Sequence, residues 1–206
     1  LLEPYDDEPT TDGLALSTLD DLRETARLAR EHGYQLCVHV IGDRANREVL
    51  DTFADSYAEA GGDADLRWRV EHVQHLDPAD IPRFADLGVV ASMQPVHATS
   101  DGPWVPDRIG DERAAAGAYV WRALLDSGAV IVSGTDAPVE DVDPIANFHA
   151  AVTRELRDGT RFYPEQALSR EEALVAATRA AAWSVFQEDD LGTLTVGKLG
   201  DVTVLS

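Results

Sequence analysis

The sequence predicts an α/β fold on a parallel sheet of four strands, half the number that closes a (β/α)8 barrel. Two observations predict it. Four short runs rich in β-branched residues, at 34–41, 67–74, 89–94 and 129–135, alternate with stretches of helical apolar spacing. Three of these runs end in a side chain able to bind a metal: Val38-His39-Val40-Ile41, Val70-Glu71-His72-Val73 and Ile131-Val132-Ser133-Gly134-Thr135-Asp136. In a parallel barrel, strand C-terminal ends gather at one mouth, where active sites lie.

The elements follow in order. Residues 1–16 carry Pro4, Pro9 and Gly13 and read as a polar loop. Ser17 caps a first helix, with Asp20 three residues on; Leu19, Leu22, Ala26 and Ala29 give its apolar face, and Gly33 ends it. After the first strand, Ala45, Val49, Leu50, Phe53 and Tyr57 form the next helical face, stopped by Gly61-Gly62. Asp77-Pro78 opens a short helix that closes at Gly88. The third strand runs into a loop of about twenty residues with Pro95, His97, Asp101, Gly102, Pro103, Trp104 and Pro106, a length that compact domains keep for function or disorder. A helix through Tyr119, Val120, Ala123 and Leu124 leads to Gly128 and the fourth strand. Asp143-Pro144 starts another helix, with Ile145, Phe148, Val152 and Leu156 on one face. Ser169 and Glu172 form a capping box for a helix to Phe186. Residues 193–196 and 201–205 read as two short strands around the turn Gly197-Lys198-Leu199-Gly200.

Composition narrows the function. The 206 residues are 44% apolar, which argues for a real core and against disorder. No apolar run reaches the roughly 18 residues of a membrane span, so the chain reads as soluble and cytoplasmic. The formal charge is −21, with Lys198 the single lysine. Such a surface repels nucleic acid and anionic membranes, and neither is expected as a partner. Scattered acidic residues with so few cations also fit a high-salt cytoplasm, where screening relieves self-repulsion. Cys37 is the only cysteine, which rules out an internal disulfide and a Cys-rich zinc site; within an apolar strand it reads as a buried structural thiol. There is no Gly-x-Ser-x-Gly elbow and no phosphate loop, and Gly42 alone makes no dinucleotide fingerprint.

The runs HVIGDRAN, RVEHVQHLDPADIPRFADLGVVASMQP, SGTDAPVEDVDPIANFHAAVTRE and GTLTVGKLGDVTVLS resemble, in order, the C-terminal part of metal-dependent amidohydrolases. The branch they resemble is the YtcJ-like group, which includes N-substituted formamide deformylases. The resemblance implies the C-terminal half of a (β/α)8 barrel, strands five to eight, over 1–190. It places 191–206 as terminal strands of a small β-sandwich. It implies His39 and His72 as ligands of a divalent metal, zinc, with one or two ions in the full-length protein. Asp136 matches the eighth-strand aspartate that binds metal and takes a proton from the attacking water. The family's first-strand His-x-His pair and fourth-strand ligand have no counterpart here and belong upstream of Leu1. About half the site is therefore present, and the isolated chain is expected to be inactive.

The residue chemistry agrees with that expectation. Neutral imidazoles and a carboxylate suit zinc, and a hydrolase of C–N bonds needs a group that returns a proton to the leaving nitrogen. His97, Asp101 and Trp104, in the long loop, are the candidate contacts for a small-molecule substrate. His75 reads equally as a surface turn or a substrate contact. His32 and His149 read as structural, Met93 as core, and Asp43 and Arg44 as a helix cap rather than a buttress for His39. Two open sheet edges predict pairing with the missing barrel half or a second copy, and hence a homo-oligomer. The alternative is a metal-free barrel remnant acting as a binding or assembly module.

Overall fold

The computed structural model describes residues 1–61 and 64–204. Its elements are α1 (Leu19–His32), β1 (Cys37–Val40), α2 (Asp43–Ala60), β2 (Arg69–His72), α3 (Ile81–Leu87), β3 (Val90–Met93), α4 (Pro95–Asp101), α5 (Val105–Ile109), α6 (Asp111–Gly117), α7 (Trp121–Asp126), β4 (Ile131–Ser133), α8 (Pro144–Thr153), α9 (Arg170–Ala177) and α10 (Arg179–Ser184). The strands form one parallel sheet in the order β1-β2-β3-β4. Sequential parallel neighbours joined through helices are the βα repeat of a barrel, and four of them make the expected half.

Register sorts the two faces. Cys37 lies beside Arg69, His39 beside Glu71, and Glu71 beside Ser92. This row is polar. The alternate row, with Val40, Val70, Ala91, Met93 and Ile131, is buried and joins Leu50, Phe53, Phe84 and Leu124 of the helices in one core. Phe53, Tyr57 and Trp68 pack with ring centroids 5.0 to 6.4 Å apart and fill the layer between α2 and the sheet. Met93 is core, as expected.

Caps explain the helix ends. Thr18, not Ser17, caps α1, accepting the Asp21 amide; Gly33 closes it in the left-handed region. Asp143 accepts the amides of Ile145 and Ala146 at the start of α8, and the Ser169–Glu172 box forms as the sequence predicts. Gly61 stops α2 at φ 102°; Gly62 lies outside the described residues.

Four expectations need correction. The long loop after β3 is mostly helical, as α4, α5 and α6. Pro95 and Pro106 sit in the first turns of α4 and α5, where the missing amide costs nothing, so prolines that read as loop punctuation are helix starts. Tyr119 is not helical: it holds φ 53° with its ring buried, and α7 begins at Trp121. The last long helix breaks at Thr178, whose hydroxyl bonds back to the Leu174 carbonyl. Cys37 is exposed rather than buried, because it faces the polar side of an edge strand.

The tail also differs. No strand forms among residues 191–204; Leu194, Val196 and Val204 are 83, 102 and 87% exposed, and Leu205 lies outside the described residues. A strand needs a neighbour to bond with, and the tail has none among the described residues. Among those residues no helix is long and apolar enough to cross a membrane.

Candidate active site

The mouth assembles from the strand C-terminal ends. His39 lies one residue from the end of β1 and His72 ends β2. Their rings meet edge to face, centroids 4.4 Å apart at 75°. His72 and Val73 hold φ of 79° and 50°, as does Asp136 at 56°. For a β-branched valine this is an outlier, and non-glycine residues are kept there, at about 1–3 kcal/mol each, only where surroundings over-determine them. Left-handed backbone breaks the pleat at His72, which alternation would otherwise keep on the helix side with Val70. Two of the three sequence-predicted metal-capable residues thus sit on strained backbone.

Asp136, exposed beyond β4, is close enough for its charge to act on His39. Burial and the neighbouring His72 together lower the His39 pKa, with Asp136 opposing them. Holding His39 neutral leaves its lone pair free for a metal. His72 is buried, and its Nδ1 lies 2.9 Å from Gln94 Oε1. His97, on α4, stacks on His72 at 5.9 Å and 19°, and its buried Nε2 has no hydrogen-bond partner.

The other predicted residues fall elsewhere. Asp101 Oδ2 accepts from the Tyr119 hydroxyl at 2.5 Å and Gln74 Nε2 at 3.1 Å, which holds Tyr119 in place and leaves that oxygen occupied. Trp104 is half-exposed at the start of α5. His75 is neither a plain surface turn nor at the metal-capable pair: it packs against Tyr119, with its pKa lowered to about 4 by desolvation and its Nδ1 unpartnered. Gly42, not Asp43, is the N-cap of α2 and brings no side-chain cap; Asp43 begins the helix with its Oδ1 accepting the amides of Arg44 and Leu2, and Arg44 pairs with Asp12. His32 and His149 are exposed on their helices.

A tier of buried amides ties the mouth together. Asn46 Nδ2 donates to the carbonyls of Gly42 and His75, joining the ends of β1 and β2. Asn147 takes the Val96 amide and donates to Ser133 Oγ, joining α4 and β4. These residues are neutral, so they join the strand ends and α4 without adding charge to the mouth. Sequence reasoning passed over Gln94, Asn147, Asn46 and Gln74; the one signal for Gln94 was a polar residue between a strand end and an N1 proline.

His39 and His72 have the donor type and proximity of two ligands on one divalent ion. Among the described residues no group of three metal-capable side chains is drawn together. Structural and catalytic zinc sites take at least three protein ligands, so the pair fits as part of a donor set.

Fold and site together define a class: half of a (β/α)8 barrel whose mouth presents imidazoles from neighbouring strands. The chain belongs to the amidohydrolase family, whose profile it matches over residues 1–206. It is 38% identical over 205 residues to protein LONG AFTER FAR-RED 3 of Arabidopsis thaliana, covering 99% of this chain and 35% of that protein. It is 34% identical over an alignment of 209 residues to YtcJ of Bacillus subtilis (strain 168), covering 100% of this chain and 39% of that protein. A solved metal-dependent hydrolase of Pyrococcus furiosus, described as uncharacterized, matches with a TM-score of 0.81 at 35% identity over 95% of this chain and 38% of that one. The chain thus spans between a third and two fifths of the length of these relatives.

Proposed function

We propose that this chain contributes one half of the mouth of a metal-dependent hydrolase that cleaves a C–N bond of a small, amide-like molecule. The observation that carries the reading is the edge-to-face contact of His39 and His72, two imidazoles from adjacent strand ends. The amide-like substrate rests on the resemblance to N-substituted formamide deformylases. His39 and His72 would hold the ion, zinc, with Asp136 as the third group from this chain and the remaining ligands from a barrel of the relatives' length. A bound divalent ion supplies Lewis-acid chemistry, lowering the pKa of water by several units.

The chain's own residues do the rest. His39 and His72 present ring nitrogens as donors. Asp136 accepts a proton on its carboxylate from the attacking water and returns it to the departing nitrogen, since an amine leaves poorly as an anion. His97 faces the substrate side through its unpartnered Nε2; Asp101, engaged with Tyr119 and Gln74, and the half-exposed Trp104 follow it along α4 and α5.

The test is metal content and hydrolysis of amides, formamides and lactones by a polypeptide of the relatives' length that contains this chain. Stoichiometric zinc, lost in both His39→Ala and His72→Ala, and turnover of amides over lactones support the reading; turnover of lactones alone makes it a C–O hydrolase. Absence of bound metal in the parent would falsify it and favour a second reading. That reading is a metal-free barrel remnant that assembles through its two sheet edges with the other barrel half or a second copy. Its motivation is that no third ligand joins the histidine pair among the described residues.

The −21 charge fits a cytoplasm at high salt. Melting temperature is expected to rise from low to molar KCl; a flat or falling curve contradicts this origin.

A further inference from the structure

We propose that Gln94 is a positioning residue that sets the tautomer of His72, fixing its proton on Nδ1 and leaving the Nε2 lone pair for the ion. The inference rests on the metal reading above for its purpose, but not for its geometry.

Gln94 sits between β3 and α4 and is buried. Its Oε1 lies 2.9 Å from His72 Nδ1, and its Nε2 donates to the Ser92 carbonyl at 3.4 Å. The second bond decides the orientation of the first. A carbonyl oxygen only accepts, so the amide must turn its nitrogen to Ser92; the flipped amide would set two acceptors against each other. Oε1 therefore faces His72, and because an amide oxygen also only accepts, Nδ1 must carry the proton. Neutral imidazole has one proton, so Nε2 is left as the acceptor. Among the described residues Nε2 makes no hydrogen bond.

The surroundings hold this arrangement. Pro95 begins α4 directly after Gln94, and Asn147 pins the Val96 amide at 3.0 Å. Gln94 is thus fixed from the helix side as well as from Ser92. The His72 ring packs in turn against His39, edge to face, and against His97, stacked. A metal-ligating histidine typically has its second nitrogen held by an acceptor, and here the acceptor is a neutral amide from the residue that follows the adjacent strand. A neutral partner fixes the tautomer without adding charge to the ion's surroundings.

The test is the tautomer of His72 in the 206-residue chain, read by long-range proton–nitrogen correlation of ring-labelled histidine at about pH 8, where free imidazole is neutral. The expected result is the Nδ1–H form of His72 in the parent and in Gln94→Glu, which keeps an acceptor, and loss of that form in Gln94→Leu. An Nε2–H tautomer in the parent, or an unchanged Nδ1–H form in Gln94→Leu, overturns the proposal. The parent spectrum decides the matter even if a variant fails to fold. A second arm titrates Zn2+ against a competing chelator in a polypeptide of the relatives' length that contains this chain. Gln94→Leu is expected to bind about 10- to 100-fold more weakly, with Gln94→Glu restoring affinity, since removing such a partner has that effect on metal sites. Equal affinity in all three overturns the proposed purpose. If none binds zinc while the tautomers behave as expected, the metal reading falls and the assignment of Gln94 stands.

Discussion

The two faces of the sheet are built to different standards. On the helix side, Val40, Val70, Ala91 and Met93 are buried against α2, α3 and α7, and the layer is complete with this chain's own residues. On the other side, Cys37 and His39 stand exposed, and Arg69 pairs with Glu71 of its own strand. The tail is likewise left open, since Leu194, Val196 and Val204 lie in solvent. The difference teaches that the helix layer is closed by apolar packing within this chain, whereas the barrel side is polar and open to solvent. The mouth lies at the boundary, held by the amides of the finished layer and opening onto the unfinished one.

The largest expected effect breaks the finished side. Gly117 ends α6 where its backbone meets Leu76, whose amide it accepts at 3.0 Å, and a β-carbon there would collide with the Leu76 carbonyl. Gly117→Ala is expected to cost about 3 kcal/mol or more in urea unfolding, because two backbones must separate. A cost below about 1 kcal/mol would show that this contact is slack.

A somewhat smaller effect sharpens the boundary. His75 is desolvated and its pKa falls to about 4, below its unfolded value. A depressed folded pKa means that the unfolded chain takes up the proton first. Stability is therefore fully present above about pH 6.5 and is lost as pH falls toward 4, by up to about 3 kcal/mol. The measurement is unfolding free energy against pH for the parent and His75→Gln. The parent should lose more across that window; parallel curves would mean that His75 is solvated.

The smallest effect belongs to the unfinished side. Leu194→Ser and Val196→Ser should shift stability by no more than about 0.5 kcal/mol, since neither side chain buries area. A loss above about 1 kcal/mol would place the tail on the core.

What could be read from the sequence follows the same line. The β-branched runs, the Asp143-Pro144 start and the Ser169–Glu172 box act over a few residues and were legible. Strand-end placement puts His39 and His72 on one rim, but that their rings meet depends on the left-handed backbone at His72, which no local pattern encodes. Pro95 and Pro106 misled because proline begins helices as readily as it interrupts them. The exposure of Cys37 and the strandless tail depend on what packs beside them, which no local pattern encodes. The fixing of His72 by Gln94 spans 22 residues and a strand pairing, so it became visible only once the register was known.

The central claim is that the two imidazoles are brought together by the fold before any ion arrives. Nuclear Overhauser cross-peaks between ring protons of His39 and His72, in the metal-free chain, test it directly. A centroid separation of 4.4 Å predicts clear cross-peaks that survive a chelator. Their absence in a folded, chelator-treated sample would contradict the account.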